Sequence, residues 1–339
     1  MKGSTLLLAM VAVVGAALLT PLVRRYALAR GMLDLPNRRS SHSIATPRGG
    51  GIAIVVVVTP LLAVLLLLGI VPLPLFLALA AGGAAVALVG FLDDRHKLPA
   101  RVRFSVHVVA AVWAVAWVGG LQTVRFGDQL IELGWFGSLL ALVGVVWVTN
   151  LFNFMDGIDG IAATEALCVA AGGALIALTH GSGGIAAPGW ILAGGCAGFL
   201  CWNWPPARVF LGDVGSGYLG YVIIVLALAD SAVRPGAIWE WFILGALFFV
   251  DATLTLLRRL LRGDRVHEAH RQHAYQRLSR RWGSHSSVTL LVLAANLLWL
   301  FPCAMLASRH PSMAISVAVV ACLPLLLGSL LLGAGQRLD

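Results

Sequence analysis

Polar side chains recur at every third position in Asn150-Leu-Phe-Asn153-Phe-Met-Asp156-Gly-Ile-Asp159-Gly160, between two segments apolar enough to cross a bilayer. Taking an amide out of water without a partner costs on the order of 2–7 kcal/mol. Water, a cation or a polar ligand must therefore answer these groups, and oxygen donors of this kind suit a hard cation such as Mg²⁺. A polar turn closed by its own Asx-type hydrogen bonds is the plainer alternative. Gly157 and Gly160 argue against a long regular helix here and let the backbone approach a ligand closely.

Three more stretches carry chemistry. Phe91-Leu-Asp93-Asp94-Arg-His-Lys97 closes an apolar span, where adjacent carboxylates oppose the negative end of the helix dipole. Asp94 could cap that end or pair with Arg95 or Arg101. Alternatively, one acid of the pair takes a proton while the other orients a cation or Lys97. Val209-Phe-Leu-Gly212-Asp213-Val-Gly215-Ser216-Gly217 sits where a span begins. Asp or Ser there can be a helix cap, or the glycine-exposed N–H groups can receive a diphosphate whose metal is held by Asp213. His267, His270 and His273 recur every three residues among Arg262, Arg265, Arg271, Arg277, Arg280 and Arg281. That spacing scatters ligands around a helix, which disfavours zinc. Contact with anionic headgroups or with phosphate and sugar hydroxyls fits better. The loop Asn37-Arg-Arg-Ser-Ser-His42-Ser-Ile-Ala-Thr-Pro47-Arg48-Gly-Gly-Gly51 reads either as a cationic anchor or as a cover for an anionic substrate. Glu165 and Asp251 sit inside spans, where acids are either functional or paired with a neighbouring polar loop.

The elements that must position these groups follow from composition. Only 12% of the 339 residues are charged and 59% are hydrophobic, with mean hydropathy +0.90. Soluble domains carry roughly 25% charged residues, so the chain reads as a single all-α polytopic membrane domain over residues 1–339. Apolar windows predict about eleven transmembrane helices, at 4–23, 50–70, 73–92, 104–121, 134–150, 161–179, 189–204, 214–233, 238–261, 286–307 and 312–334. The five cysteines lie in apolar stretches and predict packing rather than disulfides. With the N-terminus outside, 20 of the 24 Lys and Arg fall on inward segments. The positive-inside rule then puts the C-terminus and all the polar stretches above in the cytoplasm. Asp93, Asp94, Asp156, Asp159 and Asp213 would repel one another and any acidic substrate, whereas the net charge of +9 suits polyanions. A divalent cation bridging acids to phosphates reconciles the two.

In this order of motifs the chain resembles the polyprenyl-phosphate N-acetylhexosamine-1-phosphate transferases, relatives of the phospho-N-acetylmuramoyl-pentapeptide transferase. The resemblance runs over essentially the whole chain. It implies transfer of a sugar-1-phosphate from a UDP-sugar to undecaprenyl phosphate with release of UMP, at the cytoplasmic face of a bacterial inner membrane. It also implies Asn153 and Asp213 as ligands of Mg²⁺ (or Mn²⁺), and Asp93 or Asp94 as the group that deprotonates or positions the lipid phosphate. Lys97, Asn150, Asp156 and Asp159 would line the nucleotide and diphosphate pocket, and His267, His270, Arg271 and His273 would contact the diphosphate-sugar. Lys97 stands where many relatives carry a third acid, as a lysine does in the muramoyl branch, but the three consecutive histidines of that branch are absent. Arg-Ser-Ser-His and Pro-Arg-Gly-Gly-Gly in the first loop resemble the O-antigen-initiating branch more. The sugar stays open between N-acetylglucosamine and its 6-deoxy relatives, a homodimer stays open, and no nucleic acid is expected. A cation-coupled transporter or an intramembrane aspartyl protease are the rival classes.

Overall fold

The computed structural model describes residues 3–36, 44–264 and 270–337. Long runs of Leu, Val, Ala and Ile leave the backbone no partner in lipid but itself, and the chain answers with helices. They are α1 (Gly3–Ala29), α2 (Ile52–Leu67), α3 (Leu73–His96), α4 (Ala100–Val118), α5 (Gly134–Met155), α6 (Ile161–Thr179), α7 (Gly183–Asn203), α8 (Gly212–Val233), α9 (Ala237–Leu244), α10 (Ala246–Leu261), α11 (Ala274–Trp282), α12 (His285–Arg309) and α13 (Pro311–Leu331). Among the described residues, nine are long and apolar enough to cross a bilayer, or ten with α9 and α10 taken as one span. This is a polytopic all-α membrane protein.

The expectation of eleven spans is corrected in two places. The window at 50–70 shortens to the 16 residues of α2, which at 1.5 Å each reach about 24 Å, less than the ~30 Å hydrocarbon core. The window at 238–261 is broken by a 74° bend between α9 and α10, at Gly245, where the backbone leaves helical geometry (φ −89°, ψ 5°) and a Cβ would strike the Phe249 ring. Three smaller elements join the spans. The amphipathic α11 lies within the His- and Arg-rich loop, and two small antiparallel ribbons close other loops. One pairs β1 (Leu33–Asp34) with β2 (Thr46–Pro47), and the other pairs β3 (Thr123–Phe126) with β4 (Gln129–Glu132).

The central element is α8, buried along almost its whole length and packed on α3 and α5. Its first turn is where the loops meet. The backbone of Gly50 and Gly51 donates to the carbonyls of Phe210 and Leu211, and Phe210 N–H donates to Pro47 O, at 2.8 Å each. The glycine run of the first loop is thereby laid along the entry to α8. A Cβ on Gly51 would strike the backbone of Gly215, so both positions must be bare for the loop to reach the helix. Overpacking of this kind costs typically 1–3 kcal/mol. We expect Gly51→Ala to lower the thermal midpoint in detergent clearly, and Gly144→Ala, whose Cβ meets nothing within 4 Å, to leave it unchanged or raise it. Equal behaviour of the two variants would contradict this packing.

Candidate active site

Helix α3 ends at His96 because Lys97 turns into the left-handed region, at φ 51°. The turn folds the chain back so that Leu98 N–H donates to Asp93 Oδ1 at 2.6 Å, and Pro99 then opens α4. Asp94, one residue on, faces the other way. It accepts from the backbone N–H groups of Asp213 (3.0 Å) and Val214 (3.2 Å), capping the first turn of α8 from another helix. A carboxylate there meets the positive end of the helix dipole and two otherwise unpaired donors. The cap that the sequence admitted for Asp94 is real, but the helix it caps is α8 rather than its own.

This cap brings three carboxylates together, and two arginines stand between them. The Arg48 guanidinium lies 2.7 Å from Asp94 Oδ1 and 3.1 Å from Asp213 Oδ1. On the other side, Arg103 Nη1 bridges Asp93 Oδ2 at 2.6 Å and Asp213 Oδ2 at 2.7 Å. From α5, Asn153 donates to Ser216 Oγ at 3.2 Å and its side chain also lies within hydrogen-bonding reach of Asp213. The two residues implied as sharing one ion are thus neighbours. Among the described residues no group of three or more His, Cys, Asp or Glu is spaced to hold a metal ion, and guanidinium nitrogens stand between the acids. The donor chemistry still fits Mg²⁺, because the carboxylates of Asp93 and Asp213 and the Asn153 amide are hard oxygen ligands.

The remaining candidates divide by position. Asn150 and Asn153 are both on α5, which continues to Met155 before the glycines break it; the expected irregular stretch begins only at Asp156. Asn150 gives its amide N–H to Val146 O and faces His107 on α4. Asp156 is the residue that ends α5. Part of its surface meets solvent, yet it is densely surrounded, and burial pushes its carboxyl up to about 8, helped by the charges of Asp213 and Asp94. Asp159 is tied down, accepting from Ala207 N–H at 3.0 Å and lying 3.3 Å from His285 Nδ1. Lys97 is exposed at the turn beside Asp93.

The His-rich loop is built differently from the sequence reading. His267 lies outside the described residues. His273 is buried as the first residue before α11, with Nδ1 3.3 Å from Asp251 Oδ1. The same carboxylate accepts from Ala274 N–H (2.9 Å) and Tyr275 N–H (3.1 Å). Asp251, an acid inside a span, is therefore the cap of α11. His270 stacks on His273 with ring centroids 4.9 Å apart, and burial with the neighbouring His273 and Arg259 pulls it down to about 3, leaving it a neutral imidazole. Arg271 is half-buried, and its carbonyl accepts from Arg280. Tyr275 joins this loop to the acids' side: its hydroxyl donates to Phe154 O at 3.2 Å and fills the space a side chain on Gly157 would need.

A cleft of about 340 Å³ is lined by Thr46, Asp159, Pro205, Phe210, Ser284 and His285 among others. It is within the size range of small-molecule sites. Arg48, Arg103 and His285 carry more of this geometry than their sequence contexts indicated. Arg48 had the adjoining glycine run as a signal. Arg103 and His285 had none, being two of many cations near helix ends.

Residues 76–230 match the family model for glycosyl transferase family 4, a range that contains the Asp93–Asp94 pair, the Asn150–Gly160 stretch and Asp213. The chain is 32% identical over 282 residues to a Bacillus subtilis protein named "probable undecaprenyl-phosphate N-acetylglucosaminyl 1-phosphate transferase", covering 81% of this chain and 77% of that one. It is 30% identical over 312 residues to a decaprenyl-phosphate N-acetylglucosaminephosphotransferase of Mycobacterium tuberculosis, covering 80% and 74%. A phospho-N-acetylmuramoyl-pentapeptide-transferase of Moorella thermoacetica is 36% identical over 216 residues, covering 58% and 67%. The chain belongs to glycosyl transferase family 4.

The raised Asp156 carboxyl has a consequence for stability. It titrates near 8 in the folded protein against 3.8 unperturbed, so between those values the folded state binds more protons. The stability it contributes is full below about pH 4 and is lost as pH rises through about 8. In EDTA, the wild-type thermal midpoint is expected to fall between about pH 6 and 8.5, with Asp156→Asn removing much of that fall. Identical pH profiles for the two proteins would show that Asp156 titrates at its ordinary value.

Proposed function

We propose that this protein transfers a sugar-1-phosphate, an N-acetylhexosamine-1-phosphate, from a UDP-sugar to undecaprenyl phosphate at the cytoplasmic face of a bacterial inner membrane. The observation that carries the reading is the cluster at the start of α8, where Asp93, Asp94 and Asp213 meet Arg48, Arg103 and Asn153. Such a site has both the acids to hold a divalent cation and the guanidinium groups to hold phosphate. Family membership favours transfer over the transporter and protease readings.

In the reaction an oxygen of the lipid phosphate attacks the β-phosphorus of the UDP-sugar. A new P–O–P bond forms, the α–β anhydride breaks, and its electron pair leaves on UMP. Phosphoryl transfer of this type asks mostly for alignment and charge neutralisation. Mg²⁺, held by Asp213 and Asn153, would neutralise the diphosphate and the departing UMP. The two members of the acid pair have different tasks. Asp94 spends its oxygens on α8 and Arg48, which makes it a positioning residue that fixes where Asp213 stands. Asp93 is held by a turn and by Arg103, and is the carboxylate that receives or orients the lipid phosphate. The cleft between Asp159 and Phe210 takes the uridine, with Phe210 and Pro205 offering apolar surface and Asp159 an acceptor. Arg48 and Arg103, which stand at the acids, would supply the guanidinium groups for the phosphates.

Purified protein given undecaprenyl phosphate, Mg²⁺ and a panel of UDP-sugars is expected to release UMP with one or a few donors. EDTA should stop release, and Asp213→Ala should reduce it at least ~10³-fold, as for loss of a principal electrostatic group, while the protein still unfolds cooperatively. UMP release that persists in EDTA or in Asp213→Ala, or flux of substrate into proteoliposomes without covalent turnover, would overturn the proposal.

A further inference from the structure

The four ion pairs around Asp213 are not alike. Arg48 is bound to Asp94, whose side chain is fully buried and already committed to the N–H groups of α8. Moving Arg48 would leave a buried carboxylate without its cation, which is strongly unfavourable. Arg103 instead reaches in from α4 with its side chain 32% exposed, and its partners Asp93 and Asp213 are themselves 10% and 17% exposed. One nitrogen, Nη1, sits against Oδ2 of both. That is the side of Asp213 on which a cation held by its carboxylate would have to stand. The three carboxylates carry −3 and the two guanidinium groups +2, so adding a divalent ion with both arginines in place would leave the cluster positive.

We propose that Arg103 is a resident counter-ion: it occupies the divalent-cation position at Asp213, on the side that faces Asp93, and swings out to the phosphate side when the ion enters. This deepens the proposed function and rests on its metal site. Arg103 is then a positioning residue with two stations. Without the ion it keeps Asp93 and Asp213 from repelling each other. With the ion bound it is released, still within its side-chain length of the site, as a fork of N–H donors suited to phosphate oxygens. Arg48 does not move, because the capping carboxylate needs it in both states. Metal affinity is thereby held down by an internal competitor, which binding of a diphosphate relieves by giving the displaced guanidinium a new partner.

The test uses the full-length protein in detergent and Mn²⁺ alone, with free Mn²⁺ counted by electron paramagnetic resonance. Removing a positive charge that must be displaced is expected to lower the half-saturating Mn²⁺ concentration about tenfold or more in Arg103→Gln, a modest fraction of the interaction between unit charges ~4 Å apart. Arg103→Lys should stay near wild type. Added UDP should tighten Mn²⁺ binding in wild type and do so less in Arg103→Gln. Half-saturation that is unchanged or higher in Arg103→Gln would overturn the proposal. A second measurement needs no variant: phenylglyoxal should modify Arg103 faster with Mg²⁺ present than in EDTA, read by peptide mass spectrometry, and an equal or slower rate would contradict displacement. If Asp213→Asn binds Mn²⁺ as wild type does, the ion is held elsewhere, and it is the metal site of the proposed function that fails.

Discussion

The carboxylate of Asp94 on the first turn of α8 is the contact on which the rest of the site depends. Helix N-termini expose N–H groups that the helix cannot satisfy, and α8 is the most deeply buried of the described spans. Water cannot easily serve those donors at such a place. An acid from α3 does so instead, at 3.0 and 3.2 Å. Because the hydrogen bonds run from the backbone of Asp213 itself, the cap also fixes where the Asp213 side chain emerges. Its position relative to Asp93 follows from the adjacency of Asp93 and Asp94 in the chain. One helix end thus sets the geometry of three acids, and the arginines follow from the charge this creates.

The same device recurs at α11. Asp251, from inside a span, accepts from Ala274 and Tyr275 and holds His273. In both places a buried acid anchors the start of the helix that follows a polar loop. This gives loops with little apolar surface of their own a fixed attachment to the bundle. Charged hydrogen bonds of this type contribute roughly 1.5–3 kcal/mol each, enough to order a short segment such as α11 that could not stand alone. Tyr275 then reaches Phe154 and the bare backbone of Gly157, so that the two capped helices are joined through the end of α5.

Much of this was legible in the chain, and what was not has a physical reason. Spans are visible because lipid imposes a composition, so α1, α3 to α8, α12 and α13 fall close to the expected windows. The bend at Gly245 and the shortness of α2 depend on how neighbours pack, which composition does not encode. Asp93, Asp94, Asn153 and Asp213 stood out because acids and amides are rare beside apolar runs, and the structure gathers them. Which acid caps α8 could not be read, since the partner of Asp94 is 119 residues away. Asp251 and His273 were each noticed, but only the fold makes them partners. Arg103 was hidden because arginines are common at the inner ends of membrane helices, and its ten-residue distance from Asp93 matches no local motif. The glycine run before Ile52 was noticed as a loop feature, whereas its purpose, contact with Gly215, is again long-range.

The most direct test of the central contact is a structure of the protein loaded with Mn²⁺, located by anomalous scattering. The account predicts one ion within coordinating distance of Asp213, with the Asp94 carboxylate still on the backbone N–H groups of Asp213 and Val214. An ion ligated by Asp94, with the first turn of α8 left without its cap, would contradict it.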